Sequence, residues 1–134
     1  MADSDHPVEG LPTPNPEMEP AEVIDTQVSA LADNDEPFAD AGILTAYNFA
    51  SPANRRATGP RDRFVQMVHG RQYSPLVDHV EAVPGPVERE EGLAERRLTV
   101  TGPEGRTLTY LFRLVRQTTG AFRNCWTTGA VLID

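Results

Sequence analysis

Arg55 and Arg56 stand side by side in the stretch SPANRRATGP, Ser51 to Pro60. A guanidinium carries five N–H donors in a planar fork that matches carboxylate or phosphate oxygens two at a time. The pair is the candidate anion-binding site of the chain. Its surroundings favour a plainer role. No glycine-rich phosphate loop accompanies it, and the adjoining GPRD offers a single helix N-terminus. Ser51 precedes Pro52, is pushed out of the α region, and can cap a short turn beginning there. Thr58 or Gly59 caps a further helix starting at Pro60. The segment reads first as a helix-to-helix corner. One arginine would cap the preceding helix carbonyls and the other would pair with an acid of the N-terminal stretch.

Other reactive side chains are scattered. Asp78 and His79 adjoin in LVDHVEAV, but neighbours on a strand face opposite sides and cannot serve one substrate. His69, His79 and Cys125 have neither the i, i+4 helical spacing nor the Cys-x-x-Cys spacing of a metal site, so no metal and no cofactor is expected. A lone cysteine such as Cys125 reads as a small apolar filler. The stretch Pro52 to Ser74 holds five arginines against Asp62 alone. Against that stand an overall net charge of -8 and no basic groove interleaved with aromatic residues, so nucleic acid is not an expected partner.

The charge is unevenly spread. Residues 1–36 carry ten acids and no base, whereas residues 37–134 carry ten acids and twelve arginines; there is no lysine. An acid excess without lysine is the balance expected of a salt-loving archaeon with a GC-rich genome. With 134 residues and 39% apolar content the chain suits one domain and one core. There is no run of about 18 apolar residues, so no membrane span is expected. A start without basic or apolar character reads as no secretory signal, and one cysteine allows no intrachain disulfide. The chain reads as cytoplasmic.

These residues need elements to hold them. Residues 1–19, rich in proline and acid, read as a disordered tail. Pro20 suits the first position of a helix, Glu22 its first turn, and Val23, Ile24, Val28 and Leu31 its apolar face; DNDEP stops it near Asp33. A second helix spans Asp40 to Ala50 with Ile43, Leu44 and Tyr47 inward. A third starts at Pro60, buries Phe64, Met67 and Val68, and ends at Gly70 as a left-handed cap. The period then changes to two. Leu76–Val83, cut by PGP, is a weak strand; Ala94–Thr101 and Arg106–Gln117 are clear ones. Ala121–Ile133 is the last, with Phe122 and Trp126 on one face and Gly129 marking a bulge or bend. Short turns make the strands antiparallel neighbours. The fold class is α+β: three N-terminal helices in the concavity of a curved antiparallel sheet of about four strands.

The elements VIDTQVSALADND, AGILTAYNFASPANRRATGPRDRFVQMV, YSPL, VTGPEGRTLTYLFRLVRQ and CWTTGAVLI together resemble the nuclear transport factor 2-like (cystatin-like, SnoaL-like) superfamily. Within it they resemble a family recorded only as a domain of unknown function. The resemblance covers residues 20–134, and YNFASPANRRATGP is its distinctive piece. It implies a cone with a pocket at its open end, where enzymes of the superfamily set a carboxylate or histidine base opposite a tyrosine, as ketosteroid isomerase does. Polar candidates for such a pocket are Tyr47, Tyr73, Asp78, His79, Tyr110 and Asn124. Tyr110 and Asn124 fall on the apolar face of their strands and are expected to point inward. Tyr47, Tyr110, Asn124 and Trp126 are the candidate ligand-binding residues. The expected function is a non-catalytic module that binds a small apolar molecule or assembles, as a homodimer through the outer sheet face. The alternative is an isomerase or cyclase with Tyr110 as oxyanion donor and a base not identified.

Overall fold

A computed structural model describes residues 7–134. Among them, four α-helices precede four strands: α1 (Pro20–Ala32), α2 (Ala41–Phe49), α3 (Pro52–Thr58), α4 (Arg61–His69), β1 (Glu81–Glu90), β2 (Leu93–Thr101), β3 (Thr107–Arg116) and β4 (Trp126–Ile133). The strands form one antiparallel sheet in the order β1-β2-β3-β4, which is not closed. The helices cover one face, making an α+β fold.

Helix α1 starts as the sequence dictates. Pro20 takes the first turn, and the Glu22 carboxylate accepts the Glu19 amide at 3.2 Å. Its inward stripe is Val23, Ile24, Gln27 and Leu31, all buried, while Val28 is only half-buried. Helix α2 crosses the end of α1 at Gly42. A Cβ there would overlap the Ala30 carbonyl, so glycine sets how closely the two helices approach. The expected short turn at Pro52 is instead a seven-residue helix, α3, with Ser51 Oγ accepting the Asn54 amide at 3.0 Å. The fold thus has four α-helices rather than three.

Three further expectations change. Gly70 ends α4 in extended backbone (φ -69°, ψ 166°), not as a left-handed cap. Of Leu76–Val83, only Glu81–Val83 is strand; Ser74–Leu76 is a 3₁₀ turn, and Asp78 (φ 56°) turns the chain toward β1. Strand β1 begins at Glu81 and runs straight through Pro84-Gly85-Pro86, its register shifting between Pro84 and Val87. Proline is tolerated there because β1 is an edge strand and the missing N–H can face solvent. Ala121–Asn124 forms a turn, so the last strand starts only at Trp126.

The core lies between the helices and the inward positions of the sheet. Leu98, Val100, Tyr110, Phe112, Leu114 and Trp126 meet Ile24, Ile43, Tyr47, Phe49, Phe64 and Val68. Phe122, expected with them, is half-buried in the turn. Gly129 is a bulge as anticipated: Thr128 pairs with Leu114 and Ala130 with Arg113, leaving Gly129 over. The extra residue reverses the facing of the rest of β4, so that Val131 and Ile133 pair opposite the inward Phe112 and Tyr110.

Part of the N-terminal stretch, expected as a disordered tail over residues 1–19, lies against the folded body. The Val8 amide donates to Asn48 Oδ1 at 2.7 Å, and Asn48 Nδ2 donates to the Val8 and Pro12 carbonyls, each at 3.1 Å. Glu19 pairs with Arg89 of β1 at 2.7 Å. Residues 1–6 lie outside the described residues.

Candidate functional site

The open edge of β4 meets the helices at a cleft. Its walls come from α2 (Ala46, Ala50), α3 (Asn54, Thr58) and α4 (Phe64, Met67, Val68). The bulged run 128–132 closes the far side, and Phe112 lies among the residues that line it. The volume is about 200 Å³. A parallel bridge from Ala50 to Thr128 and the Ser51 amide on the Thr128 carbonyl (2.8 Å) tie the helix layer to β4 at one end of the opening. Asn54 Nδ2 donates to the same carbonyl at 3.1 Å.

The polar groups at this cleft are mostly engaged. Thr128 Oγ1 and the Gln27 amide form a buried pair, with Gln27 Nε2 donating at 2.8 Å. Thr58 Oγ1 donates to the Asn54 carbonyl at 3.0 Å. The Tyr73 hydroxyl donates to the Val131 carbonyl at 2.9 Å, and burial raises its pKa above the ordinary tyrosine value. Among the described residues no Asp, Glu, His, Arg or Cys lines the cleft.

The residues singled out from the sequence do not converge. Tyr110 is fully buried, stacks on Tyr73 with ring centroids 6.1 Å apart, and donates its hydroxyl to the Gln72 carbonyl at 2.7 Å. Burial pushes its pKa up to about 12, Arg106 pulling slightly the other way and Tyr73 adding to it. Trp126 is buried elsewhere, under the Arg89 guanidinium at 5.2 Å. Tyr47 packs its ring edge-on against Phe64, centroids 5.3 Å apart, on the inner side of α2. Asn124 does not point inward. It is exposed in the β3–β4 turn at φ 70°, a position the facing argument missed because no strand exists there. Of these four, none lines the cleft; Tyr73, from the wider set of candidates, does.

Asp78 and His79 are separated by the turn rather than by strand facing. Asp78 Oδ1 accepts the Asn34 amide at 3.0 Å, and His79 Nδ1 lies 2.8 Å from the Leu76 carbonyl. His69 sits 2.8 Å from Asp40. Burial pushes the Asp40 carboxyl up, but hydrogen bonds from His69 and Asn34 outweigh it and hold the pKa below its ordinary value. Cys125 is buried, and burial pushes its thiol pKa up, away from nucleophilic use.

The arginine pair is not arranged as expected. Arg56 is exposed, whereas Arg55 is buried with its guanidinium 5.6 Å from the Tyr47 ring centre. Among the described residues no carboxylate forms an ion pair with either arginine, and neither side chain caps a helix carbonyl. The corner is capped by Ser51, and the Gly59 amide donates to the Arg55 carbonyl at 2.9 Å. The residues that sequence reasoning missed are Gln27, Asn34, Asn48 and Thr128, all buried polar groups. Gln27 did carry a signal, because it falls in the middle of the apolar stripe of α1.

Fold and cleft together define an α+β protein with an open four-stranded meander and an apolar opening at one sheet edge. The chain belongs to the family described as Domain of unknown function (DUF4864), whose model matches residues 15–133. No curated protein and no solved structure matches the chain. Among the described residues no helix is long and apolar enough to cross a membrane.

Proposed function

We propose that this protein is a non-catalytic module that binds a small apolar molecule in the cleft beside Gly129, on a fold of the nuclear transport factor 2-like kind. One observation carries the reading: the cleft is walled mainly by Leu, Phe, Met, Val and Ala, and among the described residues its lining has no acid, histidine, arginine or cysteine. An isomerase or cyclase would need a base within about 3 Å of the reacting group. Tyr110, the oxyanion donor in that alternative, spends its hydroxyl on Gln72 and does not line the cleft. An apolar opening of this kind accepts a compact hydrocarbon body; a cavity on the order of 150 Å³ holds benzene. The acid excess without lysine supports a salt-loving archaeon as the source.

Naphthalene is a suitable probe, followed by methyl NMR of the full chain. The Leu31, Val68 and Val131 methyl signals should shift together and saturate. Ala46→Phe, which fills the cleft from α2, should weaken the titration about tenfold. Naphthalene that leaves these methyls unmoved, or that binds Ala46→Phe equally well, would sink the reading.

Assembly belongs to the same proposal. The outer sheet face pairs Leu111 with Leu132 between the Arg97–Asp134 and Arg113–Glu95 ion pairs, 2.8 and 2.7 Å long. Thr99 and Thr109 are hydrogen-bonded beside them at 2.9 Å. That mixture suits a weak, partly polar homodimer. Light scattering at high protein concentration and high salt should show it, and Leu132→Glu should abolish it; a strict monomer under those conditions removes assembly from the proposal.

A further inference from the structure

Arg55 presents a physical problem that the apolar cleft does not answer. Its side chain is only 6% exposed, and its Nε and Nη1 atoms are buried without a hydrogen-bond partner among the described residues. A buried cation is costly unless paired, and a buried unmade hydrogen bond adds to that cost. The Tyr47 ring under the guanidinium offsets part of it through its π face. A ring cannot accept the directional N–H bonds of the fork, and among the described residues no carboxylate within ion-pair reach completes the site.

The same arginine lines a second cleft, on the other side of α3 from the first. Pro52, Arg55 and Arg56 form one wall, and Gln117, Gly120 and Phe122 of the β3–β4 turn form the other, around about 200 Å³. Among the described residues no hydrogen bond engages the amides of Gly120, Ala121 or Phe122. The stretch around the site, Pro52 to Ser74, carries five arginines against one acid. Buried donors, positive local charge, free amides and an apolar rim from Pro52 and Phe122 are what a small oxyanion requires.

We propose that the cleft between α3 and the β3–β4 turn is an oxyanion site, with Arg55 as the buried anchor and Arg56 as the exposed second cation. Its ligand carries a carboxylate or a phosphate. The fork of Arg55 takes the oxygens, and the apolar rim takes the adjoining carbon body where there is one. The site is separate from the apolar cleft, so either can fail without the other.

Calorimetric titration of the full chain with sodium phosphate and with sodium benzoate, at constant ionic strength set with chloride, tests this. At least one of the two should bind saturably. Phosphate binding tighter marks a phosphate-bearing ligand, and benzoate binding tighter marks a carboxylate on an apolar body. Arg55→Met should lose at least tenfold in affinity and Arg56→Ala about threefold, while Arg61→Ala, outside the cleft, should change nothing. If Arg55→Met does not fold, Ala121→Trp blocks the cleft without touching an arginine and should give the same loss. The proposal is overturned if neither anion binds, if folded Arg55→Met or Ala121→Trp binds as the parent does, or if Arg61→Ala weakens binding as much as Arg56→Ala. It is also overturned if Asp3→Asn with Asp5→Asn lowers the melting temperature and exposes a new anion affinity, because the counter-ion would then be the chain's own.

Discussion

The chain turns two tight corners before it enters the sheet, and it finishes them differently. Between α1 and α2, Asn34 uses every polar atom it has. Its Oδ1 accepts the Ile43 amide at 2.9 Å, its Nδ2 donates to Asp40 at 2.9 Å, its amide donates to Asp78, and its carbonyl accepts the Gly42 amide at 2.8 Å. At α3, Ser51, Asn54 and Thr58 are equally well used, but Arg55 is left with two buried donors unmet. The first corner is complete within the chain. The second leaves two buried donors without a partner among the described residues. Buried polar groups left unmet are rare in folded proteins, and the proposed oxyanion would account for the contrast between the two corners.

The first corner can be broken most severely at Gly42. Gly42→Ala drives a methyl into the Ala30 carbonyl and should cost about 3 kcal/mol by urea denaturation. A loss under about 1 kcal/mol would mean that the α1–α2 approach has slack. Asn34→Ala should cost about 2 kcal/mol, since several buried partners are orphaned together. Arg55→Met, in anion-free buffer, should leave the fold as stable as the parent or more so, because it removes the cost of a buried, unpaired cation. If Arg55→Met proved the more damaging of the two, the contrast between the corners would collapse.

Two titrations give smaller effects. Tyr110 stays protonated in the fold up to about 12, against an ordinary 10.0. The stability this contributes is whole below pH 10 and is lost as pH rises toward 12. In an alkaline titration followed by tyrosinate absorbance, Tyr110→Phe should therefore remove a step that lies well above the ordinary tyrosine range. Asp40 acts in the opposite sense. Its depressed pKa gives stability that is present above the ordinary value of 3.8 and fades as pH falls through the folded value. Both partners of the Asp40–His69 pair are partly exposed, so Asp40→Asn should cost less than about 1 kcal/mol at neutral pH.

Much of the architecture was legible because it is written locally. Pro20 and Glu22 announced α1, Ser51 before Pro52 announced a cap, period-two spacing announced β2 and β3, and Gly129 announced a bulge. What escaped depends on partners distant in sequence. Pro84 and Pro86 looked like a strand break because nothing local says that β1 is an edge. Asn124 looked inward only while a strand was assumed to start at Ala121. Gln27 and Thr128 lie far apart in the chain, so nothing in either neighbourhood predicts that each satisfies the other. The arginine pair was visible as chemistry from the outset. That Arg55 would be buried and Arg56 exposed was not, because it depends on where Tyr47 and the β3–β4 turn come to lie.

The most direct test reads both corners at once. In a ¹⁵N spectrum of the full chain that resolves side-chain N–H signals, phosphate or benzoate should shift the Arg55 Nε–H and slow its exchange with water. The Asn34 amide signals should stay where they are. An Arg55 Nε–H that ignores both anions would contradict the account.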